Sequence, residues 1–310
     1  MKINFFFILL LLFSFISPTE ESEELIIYDF YNYDSTGFIV LTDSYAYNEH
    51  PDSSVIAKKY LSNEPTIDEN NYHKLDAKHR KRFLESVNIK ETDIIYIYDL
   101  SQNSVFAFNV KDINLVAFIN PYGGSEPLRQ WDFMIGFELE KTELNLLSKG
   151  NDFFVCVGKH NPFREGKAKS MIWKEIDESL FPDFSTNDDE LKKHLSSSKL
   201  KTRTYHCAVN KLDYFVKDTG RYRIIVIIDS NKTVISTISF RDGESIDFSP
   251  LHVIEKDSKE NYYTNQWTGN IFKNKPSILF GFESVSFGCP SVCFVDKNTP
   301  CVYIRCDNRH

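Results

Sequence analysis

A mainly β fold is expected from three features of this 310-residue sequence. The stretch Tyr222–Phe240 holds two strand-like apolar runs, Tyr222–Ile228 and Thr233–Phe240, around the polar turn Asp229–Lys232. Similar runs of four to eight residues recur along much of the chain, bounded by Gly, Asn, Asp and Ser. Aromatic residues make up 15% of the chain, beside many Ile, Val and Thr, and flat or branched side chains pack well on a pleated surface. The expected architecture is antiparallel and sandwich-like, as two units or one large one. A helical insertion falls near residues 54–88, and a helical, polar linker near 166–200.

Composition bounds the class further. With 42% hydrophobic and 26% charged residues the chain is a globular protein with material for one large core or two ordinary ones. A net charge of -8 gives no long-range attraction to phosphate backbones or anionic membranes, so nucleic acid is not an expected partner. Residues 1–19 read as a secretory signal. Lys2 precedes an apolar run from Phe5 to Ile16 that is too short to span a bilayer well, and Ser17-Pro18-Thr19 supplies small residues for cleavage. After its removal no transmembrane segment is expected. The remaining organisation reads as a β-rich unit over 20–165, the polar linker over 166–200, and a C-terminal β unit over 201–310.

In the first unit the strands expected are Leu25–Tyr31, Gly37–Thr42, Asp93–Leu100, Ser104–Val110, Asn114–Ile119, Phe133–Leu139 and Asp152–Val157. The third and fourth form a hairpin across Ser101-Gln102-Asn103. Between the second and third lie two helices, Ser54–Leu61 and Tyr72–Val87. In the latter, Leu75, His79, Phe83 and Val87 share one face. Its basic run Lys78–Arg82 reads as a solvated helix face, and Pro121–Pro127 as a plain loop. Met171–Phe181 has helical spacing through Ile172, Ile176 and Leu180, and a second short helix begins at Asn187–Glu190. From Thr202 the strands return: Thr204–Val209, Leu212–Val216, the two of the central hairpin, Ser277–Phe287, Ser291–Val295 and Cys301–Cys306.

Six cysteines in an exported chain read as three disulfides. Folding the tail about a turn at Asp296–Thr299 nests Cys293 against Cys301 and Cys289 against Cys306. The two pairs differ in register by one residue, which a bulge near Pro290 would absorb. Elimination then joins Cys156 to Cys207. The rival reading, a zinc site of four cysteines, has poor spacing and needs thiolates that an oxidising compartment disfavours.

Asp218-Thr219-Gly220-Arg221-Tyr222 resembles the tyrosine corner of immunoglobulin-like sandwiches, in which an Asp-x-Gly-x-Tyr turn enters a central strand and the Tyr hydroxyl ties back to upstream backbone. The resemblance implies a sandwich. The matching tyrosine is Tyr222, but Ile224 stands where the second core cysteine would be, and no Trp follows Cys207 at the usual interval.

Residue patterns that would carry chemistry are sparse. No His-Glu-x-x-His pair and no Gly-x-Ser-x-Gly elbow occurs. His206 adjoins Cys207, but a Cys–His nucleophile needs a free thiol. Glu138 and Glu140 share a strand face, whereas a glycosidase sets two carboxylates across a cleft; Asp132 and Glu283 lie near aromatics. No metal or cofactor is expected. Asn231-Lys232-Thr233 is an acceptor pattern for N-linked glycan at an exposed hairpin tip. Tyr262, Tyr263 and Trp267, with Asn265 and Gln266, form a loop-like aromatic and amide cluster suited to sugar or protein recognition. The functional expectation is a secreted, non-enzymatic binding or surface-interaction protein for an extracellular protein or glycan. The alternatives are a secreted, carboxylate-based hydrolase with a cleft between two β units, and an assembling coat or matrix protein.

Overall fold

The computed structural model describes residues 24–33, 36–41, 72–120, 128–150, 152–197, 201–254 and 265–308. The signal reading of 1–19, the helix Ser54–Leu61, the loop Pro121–Pro127 and the pair Tyr262-Tyr263 lie outside the described residues.

The strands of the first half are β1 (Ile27–Tyr28), β2 (Phe30–Tyr33), β3 (Thr36–Val40), β4 (Tyr72–Lys74), β5 (Ile94–Asp99), β6 (Ser104–Asn109), β7 (Asn114–Ile119), β8 (Phe133–Leu139) and β9 (Phe153–Gly158). Then follow β10 (Lys169–Met171), β11 (Lys174–Ile176), β12 (Arg203–Val209), β13 (Leu212–Asp218), β14 (Tyr222–Ile228) and β15 (Val234–Arg241). The last six are β16 (Ile246–Phe248), β17 (Gln266–Gly269), β18 (Ile278–Phe280), β19 (Glu283–Val285), β20 (Ser291–Phe294) and β21 (Val302–Arg305). The α-helices are α1 (Ala77–Ser86), α2 (Lys141–Leu144) and α3 (Asp189–Leu195).

The molecule is mainly β, as expected. A nine-stranded sheet runs β10-β17-β18-β20-β21-β1-β9-β5-β6, mixing strands from both ends of the chain. Two five-stranded sheets, β2-β3-β8-β7-β4 and β11-β12-β13-β14-β15, and a β16–β19 ribbon complete it. Within these sheets every pairing is antiparallel except that of β1 with β21.

Strand alternation divides the apolar side chains between separate cores. On β5, Ile95 and Ile97 enter a core shared with Ile39, Leu115, Phe133 and Phe137 of the first five-stranded sheet. Tyr96 and Tyr98 point the other way, to Phe154, Phe163, Trp267 and Phe272. A third core joins Met171, Trp173, Leu279 and Cys293 to Tyr205, Cys207, Tyr214, Val216, Ile225 and Ile227 of the second five-stranded sheet. The outer face of that sheet, Tyr222, Ile224, Val226 and Ile228, is covered by Leu191 of α3, with Phe181 and Phe184. Every residue of β14 is buried, as an apolar run on both faces requires.

Three local expectations are corrected. Tyr72–Lys74 is not the start of a helix; it pairs with β7, and the helix begins after Asp76, whose carboxylate accepts from the N–H groups of Lys78 and His79. The stretch Met171–Phe181 is not helical either. Its Ile172, Ile176 and Leu180 spacing is overridden because Lys169–Met171 pairs with β17, Lys174–Ile176 pairs with β12, and Trp173 between them is fully buried. Among the described residues of 166–200 the α-helix is confined to α3, capped by Asp188 rather than by Asn187. The basic run on α1 is only partly the solvated face expected: Lys81 is exposed and lies near Glu85, but the Arg80 side chain is largely buried, makes a two-pronged pair with Glu91 and reaches the carbonyl of Ile113.

Turn chemistry explains both hairpins flanking β13 and β14. Asn210 and Lys211 link β12 to β13 with φ of 54° and 65°, a two-residue loop that matches the right-handed strand twist. Lysine gains nothing from the left-handed region. Lys211→Gly is therefore expected to raise stability by about 0.5–1 kcal/mol, after the glycine's own entropy is deducted. A higher urea midpoint at constant slope would show this, and an unchanged or lower midpoint would contradict it. At the β14–β15 tip, Asp229 Oδ1 accepts from the N–H groups of Asn231 and Thr233, and Asn231 is exposed.

The corner entering β14 is tied differently from the immunoglobulin pattern. Thr219, not Tyr222, supplies the hydroxyl: its Oγ1 donates to the Tyr222 carbonyl at 3.0 Å and accepts from the Tyr222 N–H at 3.1 Å. Gly220 provides the positive φ of 82° that the turn needs.

Candidate functional site: a cleft beside the disulfide-stapled tail

The tail folds as a hairpin because its turn is self-capping. Asp296 accepts from the N–H of Asn298 and from the hydroxyl of Thr299, each at 3.0 Å. The strands then pair Ser291 with Tyr303 and Val292 with Val302. Disulfides join Cys293 to Cys301 and Cys289 to Cys306, with Cα separations of 4.1 and 5.5 Å. This is the nested pattern expected. The register still holds at Pro290, whose carbonyl accepts from the Ile304 N–H, so the one-residue offset falls between Pro290 and Cys289.

The third expected bridge is absent. Cys156 and Cys207 are both free and buried. Cys156 faces the core of Tyr98 and Phe154, whereas Cys207 faces that of Trp173 and Tyr214. Elimination by counting says nothing about which face of a strand a thiol occupies. Burial pushes both thiols up, so neither is a ready nucleophile. His206 turns instead to Asp213, with Nε2 2.9 Å from Oδ1, and this contact holds the Asp213 carboxyl below the usual range.

Between the stapled hairpin and the β16–β19 ribbon lies a cleft of about 590 Å³. Its lining includes Ile246 and Val285 of the ribbon, Tyr303, Ile304 and Arg305 of the tail, and Phe287, Cys289 and Cys306. Tyr303 and Phe287 are 73% and 54% exposed. Alternation explains this: Val302 packs on the core and Ile304 is buried within it, so Tyr303 and Arg305 face out. Glu283 also lines the cleft. Burial raises its carboxyl above the ordinary range, and the Arg223 guanidinium draws it back. The arrangement offers two flat apolar surfaces, a cation and a half-buried carboxylate on a covalently braced frame, which suits an amphipathic ligand.

Of the other residues singled out by sequence, Trp267 is not at a recognition surface. It is buried on β17, opposite Phe280, within the core of Tyr98 and Phe154. Its neighbour Asn265 donates to Asp152, whose carboxyl is raised by burial. Gln266 is fully buried. Asp132 is buried and accepts from the Arg129 N–H, while Glu140 accepts from Asn114, so these carboxylates brace local structure. Phe287 and Tyr303 were not singled out by sequence reasoning, although strand alternation between Cys301 and Cys306 would have turned Tyr303 outward.

No protein-family model, no curated protein and no solved structure matches this chain. Among the described residues no cluster of three or more His, Cys, Asp or Glu is arranged to hold a metal, and no helix is long and apolar enough to cross a membrane.

Proposed function

We propose that this chain is a secreted, non-enzymatic binding protein that takes an exposed segment of an extracellular protein or glycan into the cleft of the stapled tail. One observation carries the reading: Phe287 and Tyr303, both large and exposed aromatic residues, line one cleft that two disulfides brace. Exposed aromatics on a rigid frame bind at low entropic cost, because little side-chain freedom remains to be lost. The disulfides fit an oxidising compartment, and the apolar N-terminal run supplies a route to it. In this reading Asn231 carries an N-linked glycan at the tip between β14 and β15.

The test is a screen of the purified chain against a glycan array and a panel of extracellular proteins. Tyr303→Ala and Phe287→Ala are each expected to weaken the binding found by about tenfold or more, the loss typical of a central aromatic contact. The urea midpoint of Tyr303→Ala should stay at the wild-type value, since that residue is largely in solvent. Binding untouched by either substitution would place recognition elsewhere.

A further inference from the structure

β15 is the outermost strand of its sheet. Among the described residues it pairs only with β14, and no main-chain group from Val234 to Arg241 makes a main-chain hydrogen bond elsewhere. An antiparallel strand directs alternate pairs of N–H and C=O groups to either side, so about half of these groups face outward unpaired. Edge strands are usually blunted by shortness, charge or proline. The opposite edge, β11, is blunted in this way: it has three residues, and two of them are the exposed Lys174 and Glu175. β15 has eight residues and no charge before Arg241.

A slot of about 580 Å³ runs beside it. Ser236 stands opposite Ile227, on the inner face of the sheet, while Thr237 and Ser239 stand opposite Val226 and Ile224, on the outer face. All three line the same slot. Both faces of the strand thus contribute residues, as they do where a space follows a strand's edge. Its two walls arrive from opposite sides. Asp183–Asn187 comes with Phe184, which packs on the outer face, and Lys297 follows Val295, which packs on the inner core.

We propose that this slot takes one extended peptide segment of a partner protein, added to β15 as a sixth strand. Main-chain hydrogen bonds to the free edge supply the affinity, and alternate side chains set the preference. The walls favour a single strand over a second copy of the sheet, because two-fold pairing of β15 would force each copy's Asp183–Asn187 wall and Lys297 into the other's slot. Asp183 and Lys297 balance one another, and the strand presents Val, Ile, Ser and Thr, so the segment should be uncharged, aliphatic or hydroxyl-bearing, and free of proline.

The full chain would be panned against a phage-displayed library of random linear dodecapeptides, and the strongest binder synthesised. Amide exchange within 234–241 should slow at least tenfold when this peptide is bound. Methylation of alternate peptide nitrogens should abolish binding. Val234→Lys/Ser239→Lys, which alters two exposed edge positions, should weaken binding at least tenfold. The proposal is overturned if no binder emerges, if binders protect only other segments, if N-methylation has no effect, or if the free chain is already a dimer with β15 protected.

Discussion

Arg223→Met is expected to lower folding stability by about 3 kcal/mol or more, the scale for breaking a buried ion pair by removing one partner. Arg223 sits at the start of β14, and its side chain is only 4% exposed. Its guanidinium holds Asp218 with two bonds of 2.7 and 2.8 Å. The third nitrogen reaches further: Nη1 donates to the carbonyls of Ser249 and Phe282, at 2.7 and 2.9 Å. The plane of the group lies near the ring of Phe248. One side chain therefore fastens the β14 sheet to the β16–β19 ribbon that lines the cleft. Methionine keeps the bulk and leaves two carbonyls and a carboxylate without their donor. Arg223→Lys keeps the charge but not the planar fork, and should recover only part of the loss. Urea denaturation measures both. A loss below about 1 kcal/mol for Arg223→Met would mean that water replaces the guanidinium at no great cost.

Gln266→Leu is expected to be comparably damaging, again about 3 kcal/mol or more, at about 1–3 kcal/mol for each buried polar group left unpaired. The Gln266 side chain is saturated. Its Oε1 accepts from the Trp173 indole N–H at 3.2 Å and the His252 N–H at 3.1 Å, and its Nε2 donates to the carbonyls of Pro250 and Gly281, both at 3.1 Å. Leucine is nearly the same size, so the loss isolates polar satisfaction from packing. The indole N–H resonance of Trp173 should shift in this variant while the stapled tail keeps its disulfides. A neutral result would require a partner for the Trp173 N–H other than Gln266.

Much of the scaffold is legible in the sequence because its signals are local. β7 and β8 follow from short, nearly continuous apolar runs of strand length, the β5–β6 and β14–β15 hairpins from turn residues, and the two tail disulfides from register about Asp296. What escapes is decided by tertiary context. The helical spacing of Met171–Phe181 gives way because Trp173 is needed in a core. Trp267 looks like an exposed loop aromatic until β17 pairs with β10 and β18. Cys156 and Cys207 are both strand residues in buried runs, and only the packing of three sheets reveals that they serve different cores. The cleft escapes for a further reason: Glu283, Phe287 and Tyr303 meet only once the β16–β19 ribbon stands beside the tail.

The most direct test of an exported chain with a stapled cleft is non-reducing peptide mapping of the protein collected from culture medium after alkylation. The expected digest joins Cys289 to Cys306 and Cys293 to Cys301. It shows Cys156 and Cys207 unlinked, alkylated only when the protein is first unfolded, and Asn231 as a glycopeptide when the host glycosylates. A bridge between Cys156 and Cys207, any link from either of them to the tail, or a tail recovered wholly reduced would contradict it.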